Sequence, residues 1–325
     1  MNQNRETGYF IPDGYHGEHD SKPVHQLTCF CLSALHILGG KPAHHLKFVE
    51  KLYGKDKLES YLTDRGCFEG VSTAGNMAMF VAIFLTYQYG LNQDDKIKDY
   101  IEHWFDLHIS KQNKTSGFWG HNLRHKYFAG FQNAFHQFVI FNYWKHPVPN
   151  HKKIVDTVLS LADMEGHFGV VPGGSGCYDY DAADILINCG YKKYYRKSEV
   201  TNALQKLFTI ILNEQNYDGG FCDTVKTATS LMDLFQFDKL QFCFLNKNPL
   251  ISYFRLYATI NAAIKKRKYR CDHWTDKKRF WRNSDLWNTW FRCLTIAQID
   301  STFNRVNGER QWRFHDFIGL GYFSL

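Results

Sequence analysis

Apolar residues recur along most of this chain on one face of a helical wheel. Met77, Phe80, Val81, Phe84 and Leu85 form one such stripe, Phe128, Phe131, Phe135, Phe138 and Val139 a second, and Ile154, Val155, Val158, Leu159 and Ala162 a third. Short polar connectors separate the stripes, among them Leu91-Asn92-Gln93 and Pro147-Val148-Pro149-Asn150. Proline in the latter stands where a helix can begin. The stripes are too long and regular for the strands of a propeller blade. The pattern therefore predicts paired helices of roughly fifteen to twenty residues each.

A slower rhythm groups the pairs. A Gly-x-Phe turn recurs as Gly8-Tyr9-Phe10, Gly66-Cys67-Phe68, Gly166-His167-Phe168, Gly219-Gly220-Phe221 and Gly321-Tyr322-Phe323, with Gly117-Phe118-Trp119 as a compressed version. Phenylalanines 10, 68, 118, 168 and 221 lie about fifty residues apart, and the interval to 323 holds two periods. A degenerate turn is expected near Cys271-Asp272-His273-Trp274. Six helical hairpins with a turn signature at both ends predict an all-α fold, an α/α toroid over residues 1–325 as one domain. The helices after each turn are the more apolar and are assigned to an inner ring, the others to an outer ring. Gly75, inside such a helix, marks close approach of a neighbour or ligand.

Composition adds a large core and a basic surface. Hydrophobic residues make up 44% and aromatics 17%, enough to fill a wide helical core or to line a cavity. The formal net charge is +7, with basic runs at Lys192–Lys197 and Lys265–Arg270. Such runs attract anions or sit as solvated helix ends. No recognised nucleic-acid module accompanies them, so nucleic acid is not an expected partner. Nine cysteines, several of them in apolar stripes, read as reduced thiols packed as small hydrophobes. With no signal peptide and no apolar run of about eighteen residues, the expectation is a cytoplasmic protein without a transmembrane segment.

Candidate chemistry concentrates in Gly173-Gly174-Ser175-Gly176-Cys177-Tyr178-Asp179-Tyr180-Asp181-Ala182-Ala183-Asp184. One aspartate suffices to cap a helix. Three in six residues suggest more. With a helix starting near Asp179, Asp181 and Asp184 share a face, and like charges that close resist joint ionisation. One carboxyl is then available as a general acid. Asp179, Asp181 and Asp184 are candidate catalytic residues, with His167 from the preceding turn as a base partner. The cluster could also hold a divalent cation, and no cofactor is otherwise specified.

Around it, His121, Arg124 and His125 after the third turn are candidate groups for substrate negative charge. Asp223 after the fifth turn precedes a helix, at the position equivalent to Asp179. In the aromatic, basic final unit, Trp281 and Arg282 are candidate substrate-binding residues, beside Trp287, Trp290 and Arg292, where tryptophans three apart usually mean core. His16, Glu18 and His19 fall in a loop with no fixed ligand face and are not read as a metal site, and His25 reads as a core histidine.

The Asp218-Gly219-Gly220-Phe221 turn, its relatives and the helix after each resemble the terpenoid cyclase and protein prenyltransferase toroid superfamily over almost the whole chain. In class II terpene cyclases a protonating Asp-x-Asp-Asp motif lies in the cavity. Here Asp179-Tyr180-Asp181-Ala182 keeps the first and third positions and has Ala182 in the fourth. Protein prenyltransferases hold zinc with Asp, Cys and a distant His, whereas Cys177 and Asp179 stand in reverse order. Residues Asp163 to Ile185 are also similar to small toroid proteins of bacterial surface-polysaccharide biosynthesis.

Together these readings favour an enzyme acting on an anionic carbohydrate-linked substrate, such as a uronic acid or nucleotide sugar, by carboxylate acid/base chemistry, in association with glycan-assembly enzymes. An isoprenoid cyclase or transferase and a non-catalytic glycan- or partner-binding module are the alternatives.

Overall fold

The recurrent turn has a common construction. Asn4, Asn113, Asp163 and Asn216 each stand three or four residues ahead of the turn glycine and accept its N–H on their carbonyl: Gly8 at 2.8 Å, Gly117 at 2.7 Å, Gly166 at 3.2 Å and Gly219 at 2.9 Å. The side-chain oxygens of Asn4, Asn113 and Asp163 take further backbone N–H groups of the loop. The four glycines have φ between 79° and 108°, the left-handed region that disfavours other residues. Asn and Asp are suited to such self-capped turns because their short side chains reach the backbone just ahead.

The computed structural model describes residues 2–71, 73–120, 127–226, 230–264, 269–270, 279–280, 282–303 and 312–324. Two compact units are present, Met1–Asn150 with Arg313–Ser324, and His151–Trp312.

In the first unit, β1 (Asn2–Gln3) pairs antiparallel with β2 (Phe10–Ile11). There follow α1 (Lys22–Ile37), α2 (Lys55–Asp64), α3 (Ala74–Asn92), α4 (Asp95–Lys111) and α5 (Phe128–Tyr143). Helix α1 opens with Pro23 in its first turn, and Asp94 caps α4 by accepting the Lys96 N–H at 2.9 Å. Helices α3 and α5 pack along one another and are buried on almost every side. Gly75 makes this possible: a Cβ there would lie 2.1 Å from the Asn133 carbonyl oxygen, which is the close approach its sequence position suggested. Helix α4 turns one face inward, Ile97, Ile101, Trp104, Phe105 and His108. Trp104 stacks on His108 at 3.7 Å and donates Nε1–H to the Ala78 carbonyl, so its polar edge is matched inside the core.

His25 is indeed a core histidine, its Nε2 between Tyr9 Oη at 2.8 Å and Asp20 Oδ1 at 3.0 Å. Asp20 also accepts from Lys51 and Tyr61 and forms an ion pair with Arg65, while His16 is exposed. The C-terminal segment returns to this same unit: the Tyr322 ring meets Tyr143, and Asp316 pairs with His36 at 2.6 Å.

The second unit contains α6 (His151–Ser160), α7 (Gly176–Ile185) continued by a π-helical turn (Leu186–Tyr191), and α8 (Lys197–Asn213). A 3-10 turn (Met232–Phe235), α9 (Phe237–Phe244), α10 (Pro249–Ile264), the strand pair β3 (Tyr269–Arg270) and β4 (Arg279–Phe280), and α11 (Leu286–Phe303) complete it. Helix α7 is buried nearly all round and lies along α11. Thus α3, α5 and α7, the helices that follow a turn, are the deeply buried ones, while α4, α6 and α8 each bury one face. The basic run Lys192–Lys197 is a solvated connector into α8, where Arg196 pairs with Asp156 and Glu199. Cys29, Cys189 and Cys243 are buried free thiols.

Three details depart from the sequence reading. Helix α7 starts at Gly176, because the Asp179 N–H already closes onto the Ser175 carbonyl at 3.0 Å, so Asp179 lies inside the first turn. No described helix starts at Asp223; the next described helical element is the 3-10 turn at Met232–Phe235. Helix α3 runs through Asn92, so the connector after it shrinks to Gln93 and Asp94. The expected degenerate turn at residues 271–274 lies outside the described residues. Among the described residues, no helix is long and apolar enough to cross a membrane.

Candidate active site

The glycine turn ahead of α7 builds the site. Gly173 and Gly174 have φ of 80° and 66°, and the chain then extends through Ser175 into the helix. A Cβ on Gly174 would lie 2.7 Å from Asp179 Oδ2 and 2.8 Å from His167 Nδ1. The bare turn therefore packs directly against the pair that these two residues form.

That pair is fully buried, with His167 Nδ1 2.8 Å from Asp179 Oδ2. The other carboxylate oxygen, Oδ1, accepts the Phe168 N–H at 2.9 Å. Arg292 from α11 donates Nη1–H to Asp179 Oδ2 as well, and its Nη2 reaches the carbonyls of Gly173 and Asp223, each at 3.3 Å. On the far side of the imidazole, Nε2 stands 3.0 Å from Glu214 Oε1, at the end of α8. Glu214 also faces Arg292 at 3.8 Å.

With a carboxylate at each ring nitrogen, His167 is held as the cation. Burial alone would lower its pKa, but the charge and hydrogen bond of Asp179, with Glu214, push it up to about 10. Burial likewise opposes ionisation of Asp179, yet the charges of His167 and Arg292 outweigh it and hold the carboxyl below its usual value. Two cations and two carboxylates balance in a buried network.

Asp181 and Asp184 are different. Both are buried on α7, and Asp184 meets Gln298 of α11. Burial, reinforced by the charges of Asp184 and Asp179, raises Asp181 well above the ordinary carboxylate range. Its Oδ2 has no hydrogen-bond partner among the described residues. Burial raises Asp184 only to about 6, because Asn188 and Gln298 donate to it and Lys192 adds positive charge. The Gln298 Nε2–Asp184 Oδ2 distance is 3.2 Å. The arrangement places a carboxyl whose protonated form is favoured beside one with a pKa of about 6, two carboxyls of one helix pushed apart by their surroundings.

Asp223 joins the cluster at its edge, accepting the Ser175 hydroxyl at 2.9 Å. Arg282 does not: it is exposed, and among the described residues its carbonyl accepts from Asn216. His121, Arg124, His125 and Trp281 lie outside the described residues. Trp287 and Trp290 pack with the buried Phe291 but are themselves only half-buried, not the core positions their spacing suggested. Among the described residues, no group of three or more His, Cys, Asp or Glu side chains is placed to hold a metal ion.

Arg292, Glu214 and Gln298 were not identified as site residues from the sequence. Arg292 was noted only as a neighbour of tryptophans. A signal existed: Asn288, Arg292, Thr295 and Gln298 recur at helical spacing within an aromatic helix, and all four are buried against α7. Glu214 carries no comparable mark.

Residues 76–230, from within α3 past Asp223, match the family model of the prenyltransferase alpha-alpha toroid domain. The match supports the resemblance to the toroid superfamily, and the fold class is the all-α toroid that the turns and stripes predicted. No curated protein and no solved structure gives a match.

Proposed function

We propose that this chain is an enzyme in which Asp181 donates its proton to the substrate as a general acid and is returned to the acid form by a proton from product or water, with the neighbouring Asp184 charge favouring that form. One observation carries the reading: Asp181 is a buried carboxyl, raised in pKa, with Oδ2 unpartnered and a second buried aspartate three residues along the same helix. An unmet buried acceptor or donor costs on the order of 1–3 kcal/mol, a cost that a substrate group hydrogen-bonded to Asp181 would offset. The His167–Asp179–Arg292–Glu214 network serves as the positioning frame that fixes the start of α7.

The substrate is proposed to be anionic and carbohydrate-linked, in surface-polysaccharide biosynthesis and together with glycan-assembly enzymes. The net charge of +7 and the solvated cations at Lys192–Lys197 favour an anion. The likeness of residues 163–185 to small toroid proteins of that setting favours a sugar. Nucleic acid is not a proposed partner.

The family match over residues 76–230 favours a second reading, an isoprenoid cyclase or transferase, in which the same neutral carboxyl would protonate an alkene. A thermal-shift screen separates the two. Nucleotide sugars and uronic acids should stabilise the protein, and Asp181→Asn should lose turnover of the ligand found while still folding. A ligand at one hundred times its Kd stabilises by about 2.7 kcal/mol, which such a screen resolves. Stabilisation by isoprenyl diphosphates alone would move the assignment to the second reading. Unchanged turnover in Asp181→Asn would remove the general-acid role.

A further inference from the structure

The first unit contains a pocket of about 290 Å³ between the C-terminal ends of α1 and α3 and the returning C-terminal segment. Its walls are mainly apolar, with Leu32, Leu35, Leu91 and Phe317 among them. Small-molecule sites are concave, mostly apolar and carry a few placed polar groups, and this volume lies near the lower end of their range of about 300–1,000 Å³.

Two features of the wall are unexplained by folding. Gly90 lies in helix α3 and lines the pocket, yet a Cβ built there meets no atom within 4 Å. Glycine weakens a helix, and packing does not require it here. Its effect is to leave the pocket open. The second feature is Thr86, 8% exposed, on the same helix. Its hydroxyl oxygen accepts the Trp144 Nε1–H at 3.1 Å. Its proton reaches no described acceptor, whereas Thr28, Thr259 and Thr295 each donate to the carbonyl four residues back. Thr86 thus presents a buried, unspent donor in a pocket wall.

Charge at the rim selects the sign of the occupant. His36 and Asp316 pair with each other, which leaves Lys41 as the lining cation without an ionic partner among the described residues. We infer that the pocket binds a medium-sized apolar carboxylate, its body against the leucines, an oxygen accepting from Thr86 and its negative charge facing Lys41. The site is separate in sequence from the aspartates of α7, and its test does not depend on the activity proposed for them.

Isothermal titration of the full chain with octanoate tests it, with octan-1-ol as the uncharged comparator. Saturable one-to-one binding of octanoate is expected. Gly90→Leu should fill the pocket and abolish binding while the circular dichroism spectrum is kept. Lys41→Gln should weaken octanoate by about two- to fivefold and leave octan-1-ol unchanged. Absence of saturable binding to the wild type, or undiminished affinity in folded Gly90→Leu, overturns the proposal. If Gly90→Leu does not fold, Thr86→Val takes its place: a loss of about three- to tenfold supports the site, and an unchanged Kd overturns it.

Discussion

His167 and Asp179 stand twelve residues apart in the chain and 2.8 Å apart in the fold, with neither side chain exposed to solvent. The glycine turn between them, Gly173 and Gly174, brings the start of α7 back against the Gly166-His167-Phe168 turn. Arg292 and Glu214 then complete the charge balance from α11 and α8. Removing one member of such a buried set leaves an uncompensated charge, at a cost of about 3–5 kcal/mol. Asp179→Ala is expected to lose that much in denaturant unfolding. A loss below about 1 kcal/mol would show that the network does not hold α7 in place.

The same pair fixes a pH response. A histidine whose pKa is raised on folding stabilises the protein fully below its unfolded value of 6.5, and that contribution is lost as pH climbs through about 10. Asp179, held below 3.8, contributes above that value and loses its contribution in acid. Stability measured from pH 7 to 10 should therefore fall in the wild type. His167→Gln, less stable throughout, should show a flatter profile over that range. Parallel profiles would exclude His167 as the titrating group.

How much of this was legible from the sequence depends on what held each feature in place. Helices α3, α5 and α6 were readable because their stripes answer to local periodicity, and the turns because an Asn or Asp and a left-handed glycine recur together. Asp179 and His167 were readable because they flank one glycine turn. The separation of roles within the aspartates was not. It depends on Arg292, 113 residues from Asp179, and on Gln298, 114 residues from Asp184. Their partners are set by the packing of α11 on α7, which no short-range pattern encodes. The early helix start belongs to the same class, since it is the extended Ser175 and its bond to Asp223 that shift it to Gly176.

Asp184 gives a pH dependence opposite in sign to that of Asp179. Its pKa rises from 3.8 to about 6 on folding, so its protonated form is favoured in the folded state. Its contribution is fully present below pH 3.8 and is lost as pH rises through 6. Asp184→Asn keeps an oxygen to accept from Gln298 and cannot ionise. The variant should match the wild type near pH 4 and exceed it by about 1–3 kcal/mol at pH 8, given about 1.4 kcal/mol per pKa unit. Equal stability at both pH values would mean that Asp184 ionises in the folded state as freely as in the unfolded one.

Two glycines separate backbone strain from contact. Gly219 has φ of 84° and open space where a Cβ would stand, so Gly219→Ala should cost only the left-handed penalty, about 1–2 kcal/mol. Gly174 has φ of 66°, and its Cβ would press on Asp179 Oδ2 and His167 Nδ1. Gly174→Ala should therefore cost the same penalty and also force the buried pair apart. It is expected to lose about 2 kcal/mol more than Gly219→Ala in chemical denaturation, and to remove the fall in stability above pH 7 that His167 produces. If the two alanine variants were equally stable, the turn could move away from the pair, and the contact between Gly174 and the His167–Asp179 network would not be what keeps position 174 bare.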